Sequence, residues 1–513
     1  MNASRLMRSG LTVGGWTMVS RVLGLVRDVV FAQLIGASAA ADAFFVAFKI
    51  PNFLRRLFAE GAFAQAFVPV LAATREQEGE ASMQRLLDAV AARFGLILVA
   101  VTAFGVVAAP WIAMAFAPGF ADQPAQLQLT GELLRWTFPY LGLISLVAFS
   151  GSILNTVGRF SVPAATPIFL NLVLIAAAIW LSPHMDPSVR GLAIGVLVAG
   201  VVQLLIQIPP LLAAGCLPVP RWSERHPGVG KILTLMVPAL FGVSVSQINL
   251  LLDTVLASLL VSGSVSWLYY SDRLVELPLG VIAIAVSTVI LPVLSRAFAQ
   301  SDASTARMTQ TWALWVVMLL GWPCALALIV FGEVILSTLF QYGAMQVSDV
   351  KQAAASLTAY AIGLPAFMAI KVLAPHYFSR QDTATPVRIG LIAMGANMIL
   401  NLMFVWSLGH VGLALATSVS AWLNAGLLLR GLSQRGWYTW QRLPWRPMAQ
   451  LSVALVVMMQ CLWITPTADA FSGLTVWARV GQLTALLVFA GVLYLSALWL
   501  SGVRYTRVFS PTP

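Results

Sequence analysis

Apolar residues in this 513-residue chain recur in long stretches, each closed by turn residues or by charge. The stretches lie at about 11–36, 42–71, 86–117, 129–155, 162–182, 190–213, 230–260, 265–295, 309–340, 353–378, 386–407, 411–430, 447–465 and 475–501. A helix needs about 20 apolar residues to cross a hydrocarbon core of about 30 Å, so the pattern predicts about fourteen transmembrane helices. The first two stand apart because charges interrupt their apolar runs. An even number of spans puts both termini on one side. Arg5 and Arg8 precede the first stretch and ASAAA (37–41) imitates a cleavage site. Arg21, Arg27 and Asp28 break what would be the apolar core of a signal peptide, so no cleavage is expected.

Composition agrees with a membrane protein. The chain is 59% hydrophobic and 10% charged, against about 25% charged in soluble domains. A soluble globular chain is excluded, and so is a disordered one, which requires low hydrophobicity. The net charge of +11 would suggest nucleic acid in a soluble protein, but here the basic residues fall mainly in short loops. With a cytoplasmic N-terminus, eighteen of the 30 Lys and Arg residues lie in inside loops and tails. Only Arg135, Arg190, Lys351 and Arg479 lie in outside loops or at their helix ends. This is a positive-inside pattern, and no nucleic-acid partner is expected. Cys216, Cys324 and Cys461 show no metal-ligand spacing.

A weak tandem repeat runs through the chain. Ser20–Asp28, followed by a helix ending VPVL (68–71), parallels Ser246–Asp253, followed by one ending LPVL (291–294). Arg159 with the Thr-Pro pair at 166–167 parallels Arg380 with the pair at 385–386. Offsets of about 220 residues span six helices, so the halves share an orientation and form parallel repeats. The expected architecture is an all-α polytopic membrane protein with two six-helix lobes around a central cavity. The lobes are assigned to 1–215 and 216–440, and 441–513 carries two further helices and the tail.

Of the remaining basic residues, Arg93 can snorkel to the interface. Arg21, Arg27, Lys49, Arg55, Arg56, Arg273 and Lys371 lie within predicted helices, where a charge costs about 2.5–3.5 kcal/mol. Helical spacing gathers several of them. Ser20, Arg21, Gly24, Arg27, Asp28 and Phe31 share one face of the first helix, and Asp42, Lys49 and Arg56 are seven apart on the second, beside Asn52, Arg55 and Glu60. Ser266, Tyr269, Tyr270, Arg273 and Glu276 form a third stripe. Internal pairs such as Arg56 with Glu60 and Arg273 with Glu276 account for some of these residues. As a set, the arginines suit phosphate oxygens, pointing to an anionic, phosphorylated substrate. Phe44, Phe45, Phe48, Phe53, Phe58, Phe63 and Phe67 lie among the charges of the second helix. Taken singly they are expected to face lipid, although a groove between lobes could also hold lipid tails. Asp253, in an apolar run, together with Asn397, Asn401 and Thr417 offers either interhelical glue or the oxygen set of a hard cation. No hydrolase, zincin or nucleotide-binding motif occurs, so a transporter driven by gradient or potential is expected rather than an enzyme.

The segments SRVLGLVRDVV (20–30), DAFFVAFKIPNFLRRLFAEGAFAQAFVPVL (42–71), APGFAD (117–122), ILNTVGRFSVPA (153–164), GVSVSQINLLLDTVLASLLVSGSVSWLYYSDRL (242–274) and KVLAPHYFSRQDTATPV (371–387) resemble the lipid II flippase family (MurJ/MviN) of the multidrug/oligosaccharidyl-lipid/polysaccharide exporter superfamily. The resemblance runs from about 10 to 430. It implies alternating-access export of the undecaprenyl-diphosphate-linked disaccharide pentapeptide, lipid II, across the bacterial inner membrane. It matches the family's required charges to Arg21, Arg27, Asp42, Arg55 and Arg273, and neighbouring cavity positions to Asp28, Asn52, Glu60 and Ser266. It also implies a sodium site at Asp253, Asn397, Asn401, the Leu413 carbonyl and Thr417, or coupling to the membrane potential. A monomer is expected, working beside cell-wall synthesis proteins, with both termini cytoplasmic. The alternatives are a flippase for another polyprenyl-diphosphate-linked glycan or a multidrug exporter of the same superfamily. Arginine-rich cavity residues weigh against export of organic cations.

Overall fold

The computed structural model describes residues 3–56, 63–223, 225–438 and 445–503, and the regular secondary structure among them is entirely helical. Nine helices among the described residues are long and apolar enough to cross a membrane. Helix falls on each of the predicted apolar stretches. The chain divides into two compact units, Met1–Ser266 and Trp267–Pro513.

The first unit contains α1 (Ala3–Ile35), α2 (Ala39–Arg55), α3 (Ala64–Glu78), α4 (Glu80–Val107), α5 (Ala109–Phe116), α6 (Pro124–Thr137), α7 (Pro139–Thr156), α8 (Ser161–Ala176), α9 (Val189–Leu212) and α10 (Pro227–Ser258). Ser38 opens α2 by accepting from the Ala41 N–H at 3.2 Å, which satisfies one of the donors a helix start leaves over. Helix α2 packs on α6, α7 and α9 and is buried along nearly its whole length from Ala41 to Pro51. Pro51 has no N–H, so the Ala47 carbonyl loses its partner within the helix. The Thr137 hydroxyl, from α6, donates to that carbonyl at 2.8 Å.

Burial of α2 corrects the expectation for its aromatic residues. Phe44, Phe45 and Phe48 are buried, as are Phe63 and Phe67. Phe53 is half-buried, and Phe58 lies outside the described residues. Phe44 packs edge-on to Phe31 at 5.6 Å and stacks with Phe48 at 5.7 Å. Phe63 stacks on Phe94 at 4.4 Å, and Phe67 meets Phe149 at 5.1 Å. Hydropathy scores a phenylalanine alike whether it faces lipid or a neighbouring helix. Helix α10, expected to open the second lobe, packs on α3, α4 and α5 in the first unit. Where α10 ends, Gly119 of the APGFAD turn comes so near that a Cβ would lie 2.1 Å from the Ser258 carbonyl oxygen. Only glycine fits there.

The second unit contains most of α11 (Ser264–Pro278), then α12 (Ile284–Ala299), α13 (Ala303–Val330), α14 (Gly332–Phe340), α15 (Val347–Phe378), α16 (Ala384–Gln434), α17 (Trp445–Met459), α18 (Ala468–Ser472) and α19 (Val476–Leu500). Helix α16 is two helices joined at Gly409, whose φ of 58° and ψ of −136° interrupt the spiral, within the break predicted between 407 and 411. Helix α13 begins at Asp302, which accepts from the N–H groups of Ser304 and Thr305 at 3.1 and 3.0 Å. Helix α19 packs on α17, α14 and α13, and its Tyr494 hydroxyl donates to the Leu319 carbonyl at 2.7 Å. Arg479 was expected in an outside loop or at its helix end. It lies in the first turn of α19 and is buried, donating to the Gln341 carbonyl just past α14 at 3.1 Å and to the Ser337 carbonyl in the last turn of α14 at 3.3 Å. A cation there satisfies carbonyls that a helix C-terminus leaves open.

Candidate functional site

The predicted polar face of α1 is largely inside the first unit. Arg27 is 4% exposed and Asp28 is 0% exposed. The Arg27 guanidinium donates through Nε and Nη2 to Asp28 Oδ1 at 3.0 and 2.7 Å, and through Nη1 to Asn171 Oδ1 on α8 at 3.1 Å. Asn171 in turn donates to the Ser20 carbonyl at 3.0 Å. The Arg27 fork also lies 5.6 Å from the Phe31 ring. A buried guanidinium is tolerated only when paired and hydrogen-bonded, and this one is both. Arg21, nearly two turns earlier, is half-buried on the same helix. Asn171 was not among the predicted site residues. Its only signal in the sequence is a single amide in the apolar run IFLNLVLIA.

On α2, Lys49, Asn52 and Arg55 are half-buried and Arg56 is exposed. Asn52 Nδ2 donates to the Phe48 carbonyl at 2.8 Å. Glu60 lies outside the described residues, and with it the Arg56–Glu60 pair. Asp42 is 1% exposed. Its carboxylate accepts from the Gly263 N–H at 2.6 Å, the Ser266 N–H at 2.8 Å and the Ser266 hydroxyl at 2.5 Å. Asp42 therefore caps the start of α11 from α2, placing a negative charge where that helix presents free N–H groups. Asp42 and Ser266 were both predicted, and the structure brings them into direct contact.

In the second unit Arg273 donates through Nη1 to Glu276 Oε2 at 2.9 Å and lies 5.6 Å from the Tyr269 ring. Its side chain is 30% exposed and that of Glu276 is 45% exposed. The predicted internal pair is present, and it is open enough for another anion to compete for the guanidinium. Lys371 is exposed on α15.

The oxygen set on the two halves of α16 is also drawn together. Asn401 Nδ2 donates to Asn397 Oδ1 at 3.0 Å, Asn397 Nδ2 lies 3.4 Å from Thr417 Oγ1, and the Thr417 hydroxyl donates to the Leu413 carbonyl at 3.0 Å. Asn397, Asn401 and Leu413 are buried. Neutral amide, hydroxyl and carbonyl oxygens are ligands of the kind a hard cation takes. In this arrangement Asn397 Oδ1 and the Leu413 carbonyl each accept a side-chain hydrogen bond, and the second lone pair of each oxygen is the one a cation would use. Asp253 is half-buried on α10 in the first unit.

The family model described as lipid II flippase MurJ matches residues 31–476. A probable lipid II flippase MurJ of Vibrio cholerae is 49% identical over 510 residues, covering 98% of this chain and 97% of that protein. Among solved structures, a lipid II flippase MurJ in an inward closed conformation aligns with a TM-score of 0.80 and 26% identity, covering 95% of this chain and 99% of that one. An inward-facing multidrug resistance MATE family transporter of the MOP superfamily aligns with a TM-score of 0.68 and 14% identity, covering 83% and 97%. At that identity the likeness is one of fold alone.

Proposed function

The chain belongs to the lipid II flippase MurJ family, and we propose on that premise that it moves lipid II from the inner to the outer leaflet of the bacterial cytoplasmic membrane by alternating access. It is a transporter rather than an enzyme, and its role is in supplying peptidoglycan synthesis. Fourteen crossings are assigned to it, six in each of two lobes and two more at the C-terminal end, with both termini cytoplasmic. It acts as a monomer beside cell-wall synthesis proteins.

Arg27 supports this reading most directly. It is an almost fully buried guanidinium on a membrane helix, held by one carboxylate and one amide. A diphosphate carries oxygen pairs matched to the guanidinium fork. The lipid-linked diphosphate takes the edge of Arg27 that Asp28 occupies, while Asn171 keeps Nη1 and so keeps the fork oriented. Without substrate, Asp28 supplies the counter-charge that makes the buried cation tolerable. Arg21 and Arg55, with Asn52, extend the polar set of the first unit, and the resemblance assigns Arg273 and Glu60 to the same headgroup. Asp42, while bound to Gly263 and Ser266, holds α2 to the start of α11 in one state and releases it in the other. An inside-negative potential favours outward movement of two phosphate charges by about 2.3 kcal/mol per charge per 100 mV.

Sodium is the candidate coupling ion. Asn397, Asn401, Thr417 and the Leu413 carbonyl would hold it, with Asp253 as the carboxylate the sequence suggests. When bound, the ion would supply a positive charge shared among these oxygens.

Arg27→Ala tests the reading. The variant should reach the membrane at the wild-type level yet fail to support growth when it is the sole copy. Normal growth on Arg27→Ala would show that the cluster does not carry the substrate.

A further inference from the structure

A groove of about 170 Å³ lies between α4, α7 and α10, apart from the polar cluster around Arg27. Its walls include Phe94, Leu98, Leu141 and Ile232, and among the described residues only Arg93 and Ser145 in its lining are not hydrophobic. Ile97, Val101 and Leu233 on its rim are exposed. An apolar groove of this size can take a short hydrocarbon segment.

Two polar groups make it more than an apolar face. Arg93 on α4 is half-buried, and its Nη1 donates to the Ala89 carbonyl at 2.9 Å. The guanidinium is thus turned back toward the first residues of α4, as a snorkelling cation is. In the orientation proposed above, that end faces the cytoplasm. Ser145 on α7 is 0% exposed, and among the described residues its hydroxyl has no hydrogen-bond partner. A buried hydroxyl without an acceptor is costly in an apolar setting.

We propose that this groove is a binding site for an anionic glycerophospholipid of the inner leaflet. The lipid phosphate lies against Arg93, one acyl chain lies along the groove, and an ester carbonyl accepts from the Ser145 hydroxyl. A polyprenyl chain has no ester carbonyl, so Ser145 favours an acyl chain over the tail of the transported lipid. The site is a place for a resident lipid beside α10 rather than part of the substrate path.

The test uses the purified full-length protein in detergent, with lipid binding read by native mass spectrometry and by the shift in unfolding temperature. The additions are phosphatidylglycerol, its ether-linked analogue, phosphatidylethanolamine, undecaprenyl phosphate and inorganic phosphate. Wild-type protein should bind phosphatidylglycerol about tenfold more tightly than phosphatidylethanolamine, a difference of about 1.4 kcal/mol. The ether-linked analogue should bind several-fold more weakly than the ester, and inorganic phosphate should give no shift. Arg93→Gln should remove the preference for phosphatidylglycerol and Arg93→Lys should keep most of it. Ile97→Trp, at the exposed rim, should reduce binding of both phospholipids, and Ser145→Ala should equalise ester and ether lipids. The proposal is overturned if wild-type protein shows no preference for phosphatidylglycerol, or if Arg93→Gln and Ile97→Trp bind it as wild type does. A full shift from inorganic phosphate alone, or displacement of phosphatidylglycerol by undecaprenyl phosphate at equal concentration, would also overturn it.

Discussion

Arg27 is held by a neighbour in sequence and by a residue 144 positions away. The two partners differ in how far the sequence reveals them. Asp28 falls on the predicted polar face of α1, so an acid beside the buried cation was legible. Asn171 stands alone in an apolar helix, and no periodicity connects it to Arg27. Hydrogen bonds to charged groups contribute about 1.5–3 kcal/mol. Asn171→Leu should therefore lower the unfolding free energy by about that amount, measured in denaturant, and reduce growth support without abolishing it. Asp42 was also legible as a polar residue in an apolar helix. Its use as a cap on α11 was not, because Gly263 and Ser266 lie 221 and 224 residues away. Asp42→Ala should remove three hydrogen bonds from that helix start. Hydrogen exchange at the Gly263 and Ser266 amides should accelerate well beyond any change at α13, and equal protection in mutant and wild type would refute the cap.

Helix positions followed from apolar run length, and their surroundings did not. The break in α16 was predicted between 407 and 411 because the apolar pattern pauses there, and Gly409 supplies the left-handed φ that turns the chain. For α2 the same hydropathy suggested lipid contact for its phenylalanines, whereas α6, α7 and α9 cover it. Run length reports that a helix is dry, not what keeps it dry. Helix ends outside the membrane behave as in soluble proteins. Asp302 caps α13, and hydrogen bonds from Thr305 and Ser304 hold its carboxyl far below the usual carboxylate range. A carboxyl lowered by folding stabilises the protein above its unfolded pKa, and that contribution is lost as pH falls through the folded value. At neutral pH, Asp302→Ala should melt below wild type, and the gap should narrow as pH falls below about 4. Melting temperatures across pH 7 to 3 check this, and a gap independent of pH would contradict the charged cap.

At the scale of the molecule, low charge density and loop arginines were enough to read a multi-pass membrane protein, and the helices bear that class out. The charges left inside the apolar helices were enough to suggest an anionic cargo. The fold alone would not have separated a lipid flippase from a drug exporter, since a MATE transporter shares it at 14% identity. Membership of the flippase family makes that separation. The central claim is that this chain carries lipid II outward, and it is tested most directly by depleting the protein from cells and measuring lipid II in each leaflet with a reagent that reaches only the outer face. The account predicts that lipid II accumulates on the inner leaflet while its outer-face pool falls, and that wild-type protein restores the outer pool but Arg27→Ala does not. An outer pool that persists on depletion, or a different lipid-linked glycan accumulating in its place, would contradict it.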